Sequence, residues 1–201
     1  MKRVLYVVLA VFVIAGALLW YMHRGASPQA GMVHTPPQAK TYTNAKYGYS
    51  LSYPAALDVE EYPNGDAVIG AITDRSVNGV AEMHVLSLSS APRGDFSQAA
   101  ADALSNLCAA DGPTGSFSCT SLASSTAFTT TDGTKGYELY LNGELTDLRT
   151  KQKTTMLKGP YFVFPLSATS TDILSIQAPL AQAAAEADAA SIESIAKSLS
   201  R

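Results

Sequence analysis

The residues from Val4 to Met22 carry no charge. They form a run of 19 residues, close to the ~20 that an α-helix needs to cross a bilayer core. A core helix of a soluble domain keeps one polar face, and this run is apolar on all sides. Lys2 and Arg3 precede it, and Trp20 and Tyr21 close it where interfacial aromatics sit. Val4, Leu5, Val8, Phe12, Ile14, Leu18, Trp20 and Tyr21 are the expected anchor residues. The rest of the chain is then either delivered across a membrane or tethered to one.

A cleaved signal has a shorter apolar region followed by an Ala-x-Ala-like site. Here a cut after Ala26 would place Arg24 three positions before it, and a cut after Ala30 would place Pro28 there. Neither suits a signal peptidase. No Cys follows the run closely, so a lipid-modified terminus is not expected. Residues 1–24 read as an uncleaved single-pass anchor, with a cleaved signal as the alternative. Lys2 and Arg3 favour an inside N-terminus and a C-terminal domain outside the cytoplasm, in the cell membrane. Residues 25–41 read as a linker, with Pro36-Pro37 keeping it locally extended. Residues 42–201 read as one extracytoplasmic domain, long enough for a real core.

That domain begins with alternation. Tyr47-Gly48-Tyr49-Ser50-Leu51-Ser52-Tyr53-Pro54 sets aromatic or apolar residues against small polar ones, a strand pattern stopped by Pro54. Asp58–Tyr62, Ala67–Thr73 and Ala81–Ser89 are the next expected strands, with turns at Asn64-Gly65 and Asn78-Gly79. The last two are apolar on both faces, which predicts cover on both sides of the sheet. Asp95 and Gln98 can open a helix as a capping box. Phe96, Ala100, Leu104 and Cys108, with Ala103 and Leu107 beside them, form its apolar stripe. Gly112-Pro113 and Gly115 break it.

Phe117–Thr131 reads as a strand with an irregular middle, turning at Asp132-Gly133 into the alternating Gly136–Leu141. Asn142-Gly143 is either a hairpin turn or a bulge within a longer strand. After Gly159-Pro160 comes Tyr161–Leu166, the most apolar strand, with Ile173–Ala178 expected to pair back on it. Ala181–Leu199 is the expected closing helix. Its stripe is Ala185, Ala189, Ile192, Ile195, Ala196 and Leu199, with Glu193 and Lys197 as an i,i+4 pair on the wet side.

Strands, a helix, more strands and a closing helix predict an α+β fold with a mainly antiparallel sheet flanked by helices. The Gly48-Tyr49 to Tyr53-Pro54 segment resembles the opening strand of PsbP-like domains, which carry an aromatic-rich Gly-aromatic-x-x-x-Tyr-Pro segment. The two helices fall where that family places its own. The family includes the extrinsic photosystem II protein, Mog-type Ran-binding proteins and many bacterial lipoproteins. The resemblance implies an α-β-α sandwich that binds or scaffolds rather than catalyses. This chain departs from the family in Ala55-Ala56-Leu57, where a Trp is common after the Pro, and in having no lipid-modified Cys. No binding residue carries across.

The chemistry-bearing residues are few. The net charge is −3, without the basic face that nucleic-acid binding needs. Cys108 and Cys119, the only two cysteines, read as a disulfide in an exported chain. His84 shares a strand face with Leu86 and Leu88 and reads as a packed histidine rather than a base for a Cys nucleophile. No Gly-x-Ser-x-Gly, His-Glu-x-x-His or phosphate-loop pattern occurs. Glu60, Glu61, Asp66 and Asp74 read as solvated or turn carboxylates. No enzyme activity, cofactor or metal is expected. His34 reads as a solvated linker residue.

The basic cluster Arg149-Thr150-Lys151-Gln152-Lys153 reads as a solvated loop. Its functional reading is a contact loop, with Arg149, Lys151 and Lys153 meeting an anionic surface or partner. The expected role is a membrane-tethered, non-catalytic binding or accessory module outside the cytoplasm, taking an extracytoplasmic protein or small ligand. The alternative is a structural subunit of a surface assembly in the manner of pilins. That reading lacks the early Glu and processing Gly of such chains.

Overall fold

The computed structural model describes residues 38–73, 76–88, 96–108, 110–111, 115–167, 170–179 and 186–201. The expected anchor (Val4, Leu5, Val8, Phe12, Ile14, Leu18, Trp20, Tyr21) and most of the expected linker lie outside them. So do Asp95, Gly112-Pro113 and residues 181–185. Among the described residues no helix is long and apolar enough to cross a membrane. Gln38–Arg201 forms one compact unit.

Among the described residues, ten strands and two helices make up that unit. They are β1 Ala39–Asn44, β2 Tyr49–Pro54, β3 Asp58–Glu61, β4 Ala67–Thr73, β5 Ser76–Ser87, α1 Ser97–Leu107, β6 Ala110–Asp111, β7 Gly115–Thr129, β8 Lys135–Asp147, β9 Lys153–Pro165, β10 Asp172–Gln177 and α2 Glu186–Lys197. β1 starts three residues inside the stretch that composition assigns to the linker. It pairs with β2 as a separate hairpin, and the other eight strands form one sheet in the order β3-β4-β5-β10-β9-β8-β7-β6. Every pairing is antiparallel.

The central strands are buried on both faces, as their apolar runs predict. On one face Phe162, Phe164, Leu174, Ile176, Ile69 and Met83 pack under α2 and the β1–β2 hairpin. On the other, Tyr161, Val163, Ile173, Leu139 and Leu141 pack under α1. Alternation along β9 therefore feeds two cores, one per face. Phe128 packs against Phe162 and Phe164 at centroid distances of 4.7 and 5.9 Å. Each such fully buried side chain contributes ~1.5–3 kcal/mol.

The helix stripes fall as expected. Ala100, Ala101 and Leu104 are buried in α1, and among the described side chains of α2 Ile192, Ile195 and Ala196 are buried. Glu193 and Lys197 pair on the wet side at 2.7 Å. The expected capping box at α1 involves Asp95, which lies outside the described residues; the Gln98 amide donates to Asp102 at 2.8 Å, one turn on, and Phe96 at the N-cap makes no side-chain cap bond.

Three local signals resolve differently in the sheet. Asn78-Gly79 is not a turn but lies inside β5, because Thr73 already pairs with Ser76. A Cβ at Gly79 would press on Pro179 and Val68, so the glycine serves close packing. The register shift opposite Ile69 and Gly70 makes room for Val80 as an extra residue. Asn142-Gly143 lies within β8, and the bulges fall on its partner β7, between Cys119 and Ser121 and between Leu122 and Ser124. β9 runs straight through Gly159-Pro160, a cis peptide, with a register shift between Leu139 and Leu141 of β8.

The Asn64-Gly65 reversal is a hairpin, but a longer one than two residues. Glu61 pairs with Ala67, and Tyr62 N–H donates to Asp66 O at 2.8 Å. Gly65 adopts φ 95° with the Tyr47 ring where a Cβ would stand. Asn44 Nδ2 donates to Gly65 O at 3.1 Å and ties this turn to β1. The end of the chain is fixed to β2 by reciprocal Ser50–Ser200 backbone bonds of 2.9 and 2.8 Å.

Candidate functional site

Three groups of polar or reactive side chains stand out against this frame. The first is the outer half of the β8–β9 hairpin. From the pair Leu141–Lys158 outward the ladder continues to Thr146–Lys153. Asp147 organises its turn, accepting the N–H groups of Arg149 at 2.8 Å and Thr150 at 2.6 Å on Oδ1. Those bonds, the Thr150 N–H foremost, hold its carboxyl below the ordinary aspartate range. Lys151 takes φ 59°, and its N–H donates to Asp147 O at 2.9 Å, closing the reversal.

The predicted contact residues Arg149, Lys151 and Lys153 are thereby gathered at one hairpin end, all exposed. Lys153 Nζ also donates to Glu144 at 2.7 Å. Sequence reasoning missed their neighbours. Leu145, Leu148, Met156 and Leu157 are all exposed, from 38% to 60% of their surface. The signal was the Met156-Leu157 dipeptide, two adjacent large apolar residues in a strand, which points to both faces at once. Behind them Phe117 lies over Gly143, and Lys158 Nζ sits 5.9 Å from the Phe117 ring centre.

The second group centres on His84. Its Nδ1 lies 3.0 Å from Asp66 Oδ2 and its Nε2 3.2 Å from Glu82 Oε2. Glu82 and His84 share a face of β5 by alternation, and Asp66 arrives from the turn before β4, beside His84 in the register. Asp66 Oδ1 also accepts the Val85 N–H at 3.0 Å, and Asn64 Nδ2 donates to Oδ2 at 2.8 Å. Asp66 is thus a half-buried partner of His84 rather than a solvated turn carboxylate. Burial opposes the charged ring, but the bonds and charges of Glu82 and Asp66 outweigh it and raise the His84 pKa. With both ring nitrogens turned to carboxylates, His84 has none left to activate a thiol.

On the same face of the sheet, Ser175 donates to Gln177 Oε1 at 3.1 Å, and the buried Gln177 Nε2 finds no acceptor among the described residues. Lys158 is half-buried, and burial lowers its pKa against the opposing pull of Glu82. Among the described residues no group of three His, Cys, Asp or Glu side chains is arranged to hold a metal ion.

The third group is the cysteine pair. Cys108 ends α1 and Cys119 lies in β7, at a Cα–Cα distance of 5.6 Å that suits a disulfide. Cys108 is buried, and the Tyr161 hydroxyl points to its sulfur at 3.6 Å. Burial pushes the Tyr161 pKa upward. The pair clamps the C-terminal end of α1 to the sheet.

No family model and no curated protein matches this chain. Among solved structures, the solution structure of cyanobacterial PsbP (CyanoP) from Synechocystis is similar at a TM-score of 0.44 and 13% identity, over 87% of this chain and 99% of that one.

Proposed function

We propose that this chain is a membrane-tethered, non-catalytic binding or accessory module whose folded domain works outside the cytoplasm, built as a PsbP-like sandwich. The single observation that carries the binding role is the outer β8–β9 hairpin. It exposes four large apolar side chains beside three basic ones, where a surface with no partner would favour polar residues. The charge-free Val4–Met22 run behind Lys2-Arg3 supports the tether and its direction. A helix on each face of an antiparallel sheet, with Tyr49–Pro54 as a strand over one of them, supports the sandwich reading. The non-catalytic reading rests on His84, whose two nitrogens are both committed to carboxylates.

Two measurements test it. Protease added to intact spheroplasts should remove the domain, and a protected domain would overturn the location. A photocrosslinking residue at position 148, in the full chain in its native membrane, should give adducts that the same group at position 106 on exposed α1 does not. Equal labelling at both would overturn the hairpin as the contact surface.

A further inference from the structure

The partner of the hairpin can be named by its chemistry, given the membrane-tethered reading above. Leu145 and Met156 belong to the sheet face that carries Leu141, since Met156 pairs with Gly143 and Leu145 with Thr154. Leu157 pairs with Asn142 and belongs to the opposite face. Leu148 stands in the turn itself. Apolar side chains therefore stand on both faces of the hairpin end and at its tip, with β7 paired along the β8 edge as far as Asp147. A flat protein surface meets one face of a hairpin, and only a deep cleft would close round its end. A bilayer interface surrounds an inserted end on every side, and it suits this distribution.

The charges agree. Residues 144–158 hold Arg149, Lys151, Lys153 and Lys158 against Glu144 and Asp147, so 4 − 2 = +2. The remainder of Gln38–Arg201 holds 7 basic and 15 acidic residues, so 7 − 15 = −8. The one basic segment of an acidic domain is thus the segment with exposed apolar side chains. An acidic body and a basic apolar tip orient a domain towards an anionic headgroup layer. Fifteen residues separate Met22 from Gln38, a reach of up to ~50 Å when extended. That is enough for a tethered domain to turn its hairpin to the bilayer.

We infer that the end of the β8–β9 hairpin inserts edge-on into the anionic lipid surface of the membrane that carries the chain. Leu148, Leu157 and Met156 enter the headgroup–acyl boundary. Arg149, Lys151 and Lys153 engage lipid phosphates, with Lys153 exchanging Glu144 for a headgroup. The hairpin thus sets the orientation of the domain on the membrane.

The test uses the full chain in lipid nanodiscs, one set of phosphatidylcholine alone and one with about a third phosphatidylglycerol. Hydrogen exchange is followed peptide by peptide. Each basic side chain near an anionic surface is worth roughly fivefold in the contact equilibrium. Exchange across residues 145–157 should therefore slow by about tenfold or more in the anionic discs, while β1 and β2 are unchanged. Two variants of exposed residues separate the contributions: Arg149→Glu with Lys151→Glu and Lys153→Glu, and Leu148→Ser with Leu157→Ser. Each should return the hairpin to its rate in phosphatidylcholine.

Equal exchange in the two lipids overturns the inference, as does slowing that neither variant relieves. Slowing that appears only when extracytoplasmic protein is added assigns the hairpin to a protein and also overturns it. These failures leave the tethered-module reading standing, whereas a domain protected in spheroplasts removes that reading whatever the discs show.

Discussion

Replacing His84 with Gln removes a positive charge from between two carboxylates. The ring nitrogens lie 3.0 and 3.2 Å from Asp66 and Glu82. Both acceptors are carboxylate oxygens, so the geometry is satisfied when both nitrogens donate, as in the imidazolium. A hydrogen bond to a charged group is worth ~1.5–3 kcal/mol, and breaking a fully buried pair costs ~3–5 kcal/mol. The side chains of Asp66 and Glu82 stay 20% and 19% exposed, so water recovers part of that loss. The expected cost of His84→Gln at about pH 6 is ~2–3 kcal/mol.

The pH dependence has a definite sign. The folded pKa stands above the ordinary value of 6.5. The stabilisation is therefore complete below about pH 6.5 and is lost as the pH rises through the folded value. Guanidinium unfolding of residues 38–201 and of the variant, from about pH 5 to about pH 9, measures it. The stability gap between the two should be widest at the acid end and close as the pH rises. A gap below ~0.5 kcal/mol throughout, or one that widens with pH, would refute the reasoning.

Three further outcomes follow from the same geometry. Non-reducing peptide maps of exported protein should show Cys108 joined to Cys119, and reduction should cost ~3 kcal/mol for a loop this short, read from the shift in denaturation midpoint; two alkylatable thiols would contradict it. Gly136→Ala should destabilise by at least ~1–3 kcal/mol, because the new Cβ meets Val163 O and the Phe164 ring; an unchanged thermal midpoint would show that β8 can shift there. Asp132 should titrate at about 2, held down first by the Thr130 hydroxyl and then by the Thr134 N–H. Its contribution to stability is present above the unfolded value of about 3.9 and lost as the pH falls towards the folded one. Thr130→Val should raise the midpoint seen by NMR, and an unmoved midpoint would remove Thr130 as the cause.

Much of the fold was legible in the chain. Tyr49–Pro54, Ala67–Thr73 and Asp172–Gln177 form strands where period-two or continuous apolar runs occur. The stripe from Phe96 to Leu104 and the one from Ile192 to Leu199 became the core faces of α1 and α2. These are properties of neighbours along the backbone, so local composition carries them. The cysteine pair was legible for a similar reason, since 11 residues and a helix end leave little freedom in where the chain returns.

Turns and sites were less legible because the partner strand decides them. Asn78-Gly79 and Asn142-Gly143 have the chemistry of hairpin turns, yet Asn78-Gly79 is paired with β4 inside β5, and Asn142-Gly143 sits in β8 with partners on both β7 and β9. Gly159-Pro160 has the chemistry of a break, but β8 pairs with β9 on either side of it. The basic cluster at Arg149–Lys153 was visible; the apolar collar around it was not, because exposure of Leu145 and Met156 depends on where α1 stops covering one face, and that of Leu157 on where α2 and the β1–β2 hairpin stop covering the other. His84 and Asp66 lie 18 residues apart, and only the register between β4 and β5 brings them together. By itself the sequence determined the charge-free N-terminal run, the alternation of strands and the two amphipathic helices, since each is a pattern within a few residues. Only the tertiary structure decided which glycines turn the chain, which carboxylates hold His84 and which leucines stay outside, because burial and pairing are set by segments distant in the chain.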